Sequence, residues 1–224
     1  FMFSCALVAQ MPDHAIWDSF LKKYVDNDGH VNYKAIADNK AELNGYLNEL
    51  VKNQPQSNWS NNESMAYYIN AYNAYTIRLI VDNYPLKSIK DIPSPWDKKF
   101  IPLNGKLESL NHIEHDILRK MGDARIHFAI NCASVSCPKL LNEAFTAEGL
   151  NEQLDAVATD FINNPEKNKL EENTISISKI FDWFKKDFEQ SQSLIDFLNR
   201  YSKNAIGPKP KINHMEYDWN LNGE

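Results

Sequence analysis

One stretch constrains the fold more than any other. From Met65 to Val81 the chain is apolar on nearly every side, with Arg78 its one charged residue. A helix of that composition must be buried all round, so the rest of the chain has to wrap it. Yet Asn70 and Asn73 lie inside it, on one stripe with Ala66, Ile77 and Ile80. A buried amide left without a partner costs roughly 1–3 kcal/mol. Two readings follow: the amides brace a neighbouring loop, or they line a pocket and bind. Ser60 or Asn61 supplies the cap, and Pro85 stops the helix near Tyr84.

Elements on either side are read from periodicity. Residues 13–25 form a helix capped by Asp13, with Ile16, Phe20, Leu21 and Tyr24 inward. The DNDG at 26–29 resembles a calcium loop, but the ligand register fails and a turn is expected. A second helix over 33–52 buries Ile36, Leu43, Leu47 and Leu50. Pro93, Pro95 and Trp96 make a rigid aromatic loop. Asn104-Gly105 marks a hairpin with a type I′ turn. A helix runs from Ser109 or Asn111 to Gly122.

Alternation over 125–131 then predicts a strand. After it come a helix from Thr146 to about Asn163, a hairpin or strand at 170–178, short helices at 179–188 and 194–202, and an edge strand within 212–219. The count predicts an α+β fold, a mostly helical single domain over 10–224 with the buried helix packed on a small antiparallel sheet.

Composition narrows the function classes. The 43% hydrophobic content suits a globular core. A net charge of −6, with acids spread along the chain, argues against a nucleic-acid partner. There is no P-loop, no G-x-G-x-x-G and no G-x-S-x-G, so no cofactor is expected. No 18-residue apolar run is present to span a membrane. Phe1–Ala9 is apolar and uncharged and reads as the tail of a secretory signal or a lipoprotein-type leader. Cleavage after Ala9 would give a periplasmic or secreted protein; lipidation of Cys5 would anchor it to a membrane. A docked terminal strand or helix is the alternative.

Chemistry concentrates in Arg125–Leu140, RIHFAINCASVSCPKL. As a strand, its Ile126, Phe128 and Ile130 face the core, while Arg125, His127, Ala129 and Asn131 face solvent or a cleft. His127 and Asn131 would then stand about 7 Å apart on one face. Cys132 has the opposite parity, so pairing it with His127 needs a turn at Ala133-Ser134. His115, next to Glu114 on the preceding helix, is the other base candidate. A histidine beside a thiol lowers its pKa and makes a nucleophile. In an oxidising compartment, Cys132 and Cys137, five apart, can instead form a disulfide. His112, Glu114 and His115 do not match a zinc spacing, and no metal is expected.

The runs WDSFLKKYV, YYINAYNAYTI, SLNHIEHDILR, RIHFAINCASVSCP and EYDWNLN resemble the DUF547 family over nearly the whole chain, as an exported bacterial member. The resemblance implies no settled activity. It implies that Asn70, Asn73, Glu114, His115, His127, Asn131, Cys132, Ser134, Cys137 and Pro138 belong to family motifs.

Two functions are weighed on these residues. The first is a cysteine-dependent hydrolase or acyltransferase of papain- or transglutaminase-like architecture. Cys132 is its nucleophile, His115 or His127 its base, and Asn131 an orienting or oxyanion group. The order of residues counts against it, because in those families the cysteine precedes the histidine. The second is a non-catalytic scaffold that binds a small polar or peptide ligand through Asn70, Asn73, Glu114, Arg125, Ser134 and Cys137, with Cys132–Cys137 a disulfide.

Overall fold

The buried helix sets the architecture. In the computed structural model, which describes residues 11–223, it is the fourth helix. The chain enters through α1 (His14–Tyr24), α2 (Tyr33–Asp38) and α3 (Ala41–Lys52) before reaching α4 (Asn61–Asp82). Ser60 and Glu63 close a capping box at the start of α4, satisfying its first free N–H groups. Every residue of α4 from Met65 to Ile77 is buried. Helices α2 and α3 and the helical run His112–Met121 surround it. Asp13 caps α1 as expected, but Ile16 faces solvent and Trp17 takes the inner position. The helix expected over 33–52 is broken at Asn39-Lys40, although its four inward residues are all buried.

After α4 comes the β1–β2 hairpin (Ile101–Leu103 and Lys106–Glu108). Asn104 and Gly105 both take the positive φ that a type I′ turn demands. Phe100, at its base, meets Tyr75 of α4 edge-on. The next helix is not a plain α-helix. It is a π-helical turn over His112–Ile117, then a 3₁₀ turn over Leu118–Met121, ended by left-handed Gly122. Helix α5 (Leu150–Asn163) follows, then β3 (Lys169–Leu170), β4 (Thr174–Ile177), α6 (Ile180–Trp183), α7 (Lys185–Phe188), α8 (Leu194–Tyr201) and β5 (Lys211–His214). Strand β4 is central, antiparallel to β3 and parallel to β5. The domain is therefore α+β, with small sheets beside a helical core.

One expected element is absent. Residues 124–128 form a 3₁₀ turn, not a strand. Ile126, Phe128 and Ile130 are buried as the alternation required, but so are His127 and Asn131. The outer face is lost because His127 and Asn131 find internal partners, while Arg125 pairs near the surface with Asp123 and Asp155. The leader and Cys5 readings lie outside the described residues. Among the described residues, no helix is long and apolar enough to cross a membrane.

Candidate functional site

The loop after the 3₁₀ turn is held from three directions. Asn73 reaches across from α4: its Nδ2 donates to Ala129 O at 2.9 Å and its Oδ1 accepts from Asn131 N at 2.8 Å. Asn131 donates through Nδ2 to Pro138 O and accepts from Ala133 N, closing the loop on itself. Ala133 takes a left-handed conformation there, at φ 60°. The C-terminal segment crosses the loop, with Val135 N and Ser136 N donating to Asn220 O and Asp218 O. Cys132 and Cys137 are joined in a disulfide, with Cα atoms 6.4 Å apart.

The disulfide forms part of the wall of a cavity of about 220 Å³. Glu114 and His115 from the π-turn, His127 from the 3₁₀ turn and Tyr72 of α4 also line it. Most of the remaining wall is aromatic, Trp96, Trp183, Phe184, Tyr217 and Trp219, with Asn111, Ile130, Pro138 and Ile180 completing it. Asn111 N donates to Trp96 O and so ties the Trp96 loop to the start of the helical run. Strand β5 and the tail beyond it bring Tyr217 and Trp219 over the disulfide, where Tyr217 Oη lies 3.2 Å from Cys137 Sγ. Ring pairs Trp96–Trp219, Trp183–Tyr217 and Tyr217–Trp219 meet at 70°, 52° and 47°.

A charged relay lies beneath. Arg119 binds Asp187 through both Nε (2.6 Å) and Nη2 (3.0 Å), and its Nη1 lies 2.8 Å from His115 Nδ1. His127 Nε2 is 2.8 Å from Asp187 Oδ2, and its ring stacks on Phe184 at 3.9 Å. Burial lowers the pKa of His127, against the pull of Asp187, so its neutral ring donates Nε2–H to the carboxylate. Burial and then Arg119 lower His115 too. Burial would raise Asp187, but the hydrogen bonds from His127 and Arg119 outweigh it and hold the carboxyl below the usual range. Glu114 differs. It is 7% exposed, and its Oε2 accepts from Tyr72 Oη at 3.1 Å. Burial raises its pKa to about 7, against the opposing influence of Tyr72 and Arg119.

The cavity therefore collects Glu114, His115, His127, Cys132 and Cys137. Ser134 is buried behind it, with Oγ 3.2 Å from Tyr217 Oη. The other candidates lie elsewhere. Asn70 clasps the backbone of Phe145, donating to its O and accepting from its N. Asn70 and Asn73 are thus loop braces and do not line the cavity. Asn131 faces a separate polar cavity with Gly29 and Asn222, so it and His127 do not share a cleft. Arg125 is bound to Asp123 and Asp155, away from the aromatic walls. His112 turns to Asp116 and not toward His115.

Asp187, Arg119 and the aromatic wall were not among the sequence candidates. The DWF run at 182–184 and the YDW run at 217–219 were visible as aromatic clusters, but nothing local says that they converge.

The geometry defines an aromatic-walled, disulfide-bounded cavity on an α+β domain. Residues 56–162 match the model of the family DUF547, a protein of unknown function, and this match supports the family. No curated protein and no solved structure matches the chain. The matched span carries α4, the π-turn and the disulfide loop; Trp183, Phe184, Asp187, Tyr217 and Trp219 lie beyond it.

Replacing both Cys132 and Cys137 by serine is expected to cost about 2 kcal/mol, from the loop-closure entropy of so short a loop. Urea unfolding measures this. A loss below about 0.5 kcal/mol would mean that Asn73, Asn131 and the C-terminal crossing hold the loop unaided.

Proposed function

We propose that the chain is a non-catalytic binding domain of the exported bacterial kind, periplasmic or secreted, which takes a small polar or peptide ligand in the aromatic cavity. The observation that carries this reading is the Cys132–Cys137 disulfide in the cavity wall. A cysteine hydrolase needs Cys132 as a thiolate, and a sulfur already bonded to another sulfur has none to offer. The groups near Cys132 Sγ are Ser134 Oγ at 3.2 Å and Tyr217 Oη at 3.5 Å, neither of them a base at neutral pH. A structural disulfide also suits an oxidising compartment. Aromatic walls with a few convergent polar groups are the usual make-up of a small-molecule site.

Two measurements test the proposal. Alkylation of the native protein followed by mass analysis should leave Cys132 and Cys137 unmodified until a reductant is added. Rapid modification of Cys132 without reductant, below the ordinary thiol pKa of about 8.5, would return the enzyme reading to first place. A fluorescence screen of small polar molecules and short peptides should also give hits, because three of the five tryptophans line the cavity. Trp183→Ala should weaken those hits.

A further inference from the structure

We infer that the ligand is an organic cation, its ammonium group seated against Glu114 and walled by Trp96, Trp183, Tyr217 and Trp219. This rests on reading the cavity as a binding site.

The charge balance leads there. Arg119 is the cation whose charge acts on Glu114, but its guanidinium is held by both oxygens of Asp187 and by His115. His115 and His127 are held neutral. Tyr72 donates one hydrogen bond to Oε2. Tyr217, the other titratable group on the wall, is a neutral phenol pushed up to about 12 by burial. Arg119 and Asp187 cancel, so an ionised Glu114 leaves one negative charge with no counter-ion. Its second oxygen has no hydrogen-bond partner among the described residues, and the residue lines the cavity. A buried charge of this kind is stable only when paired. Unliganded, the carboxyl meets this cost by taking a proton, in keeping with a pKa raised to about 7; an anionic ligand would favour that protonated form, whereas a cation would favour the ionised one.

The walls agree. Aromatic faces carry negative charge density and attract ammonium groups, most strongly when desolvated. Here the rings pack against one another at 47° to 70°, with centroids 4.5 to 5.7 Å apart, and form a contiguous aromatic wall of the cavity, whereas a sugar-stacking platform would present one flat face. Trp183 and Trp219 are the near-parallel pair, at 26°. Trp219 already holds one ammonium of this chain, with Lys90 Nζ 3.7 Å from its ring centroid, so that face of the ring is taken; Lys90 does not line the cavity. A volume of about 220 Å³ accommodates a methylated amine or the end of a methylated lysine.

Calorimetric titration of the full chain at pH 7 tests this, with choline, a trimethyllysine peptide, N-acetylglucosamine and acetate as probes. The experiment is run in two buffers of different ionisation heat. Choline or the peptide should bind and release protons as Glu114 ionises, and which of the two binds tells a free amine from a side chain. Glu114→Gln, with its fold checked by circular dichroism, should weaken binding roughly tenfold or more and abolish proton release. Should that variant not fold, Trp183→Ala, at a residue 44% exposed in the wild type, carries the same expected loss. Binding of the sugar or acetate with no response to either cation would overturn the cation and leave the cavity standing as a binding site. Unchanged cation affinity in Glu114→Gln would overturn it equally. Silence from every probe would overturn the cation, and the binding reading would then be decided by the fluorescence screen.

Discussion

Asn73→Ala is expected to destabilise the domain by roughly 3 to 5 kcal/mol, one of the largest losses available to a single polar substitution here. Asn73 is 2% exposed and joins α4 to the loop by two hydrogen bonds, to Ala129 O and from Asn131 N. Both backbone groups belong to buried residues. Removing the amide leaves an N–H and a C=O without partners and opens a small cavity. The same helix supplies a control. Thr76 Oγ1 is buried with no hydrogen-bond partner among the described residues, so Thr76→Val deletes a polar group that nothing satisfies. It should be neutral or mildly stabilising. Urea unfolding of the two variants decides the matter. A loss below about 1 kcal/mol in Asn73→Ala would mean that water replaces the amide and that the brace is dispensable. Amide exchange should quicken around Asn131 in the variant, because its N–H donates to Asn73.

Glu114→Gln is expected to stabilise the unliganded protein above pH 7, by up to about 3 kcal/mol. Burial raises this carboxyl from an ordinary 4.5 to about 7 in the folded state. Below 4.5 both folded and unfolded chains carry the proton, and the site costs nothing. Between 4.5 and 7 the unfolded chain gives up its proton first, so stability falls as pH rises. Above 7 the full penalty stands. Glutamine has no charge to bury and can still accept from Tyr72 through its Oε1. Thermal unfolding of both proteins from pH 4 to 9 should show curves that meet at the acid end and diverge toward the alkaline end. Parallel curves would mean that Glu114 does not titrate in that window. A carboxylate kept where its charge is destabilising is what the proposed cation site would require, since sites concede stability to function.

Much of the scaffold was readable because its causes are local. The capping box of α4, the Asp13 cap, the left-handed Gly122 and the Asn104-Gly105 turn each depend on a few adjacent residues. The burial of α4 followed from its lack of a polar face, and the bracing role of its two asparagines was one of the two readings open to any buried amide. The stretch at 125–131 was misread for an instructive reason. Alternation predicts a strand when the polar residues face water. Here His127 turns inward to Asp187, 60 positions away, and Asn131 to the backbone of its own loop, so the alternation carries no sheet.

The sequence by itself determined where the core helix lies, where that helix and α1 are capped, and which short stretch holds the chemistry, because caps, turns and hydrophobic periodicity act over a few residues. Only the tertiary structure decided what that chemistry faces. The cavity is completed by Trp183, Phe184, Tyr217 and Trp219, with Asp187 beneath it, and all of these arrive from beyond residue 180. Their convergence depends on how β5 pairs with β4 and how the C-terminal segment crosses the disulfide loop. Those are contacts between residues distant in the chain, and no local pattern encodes them.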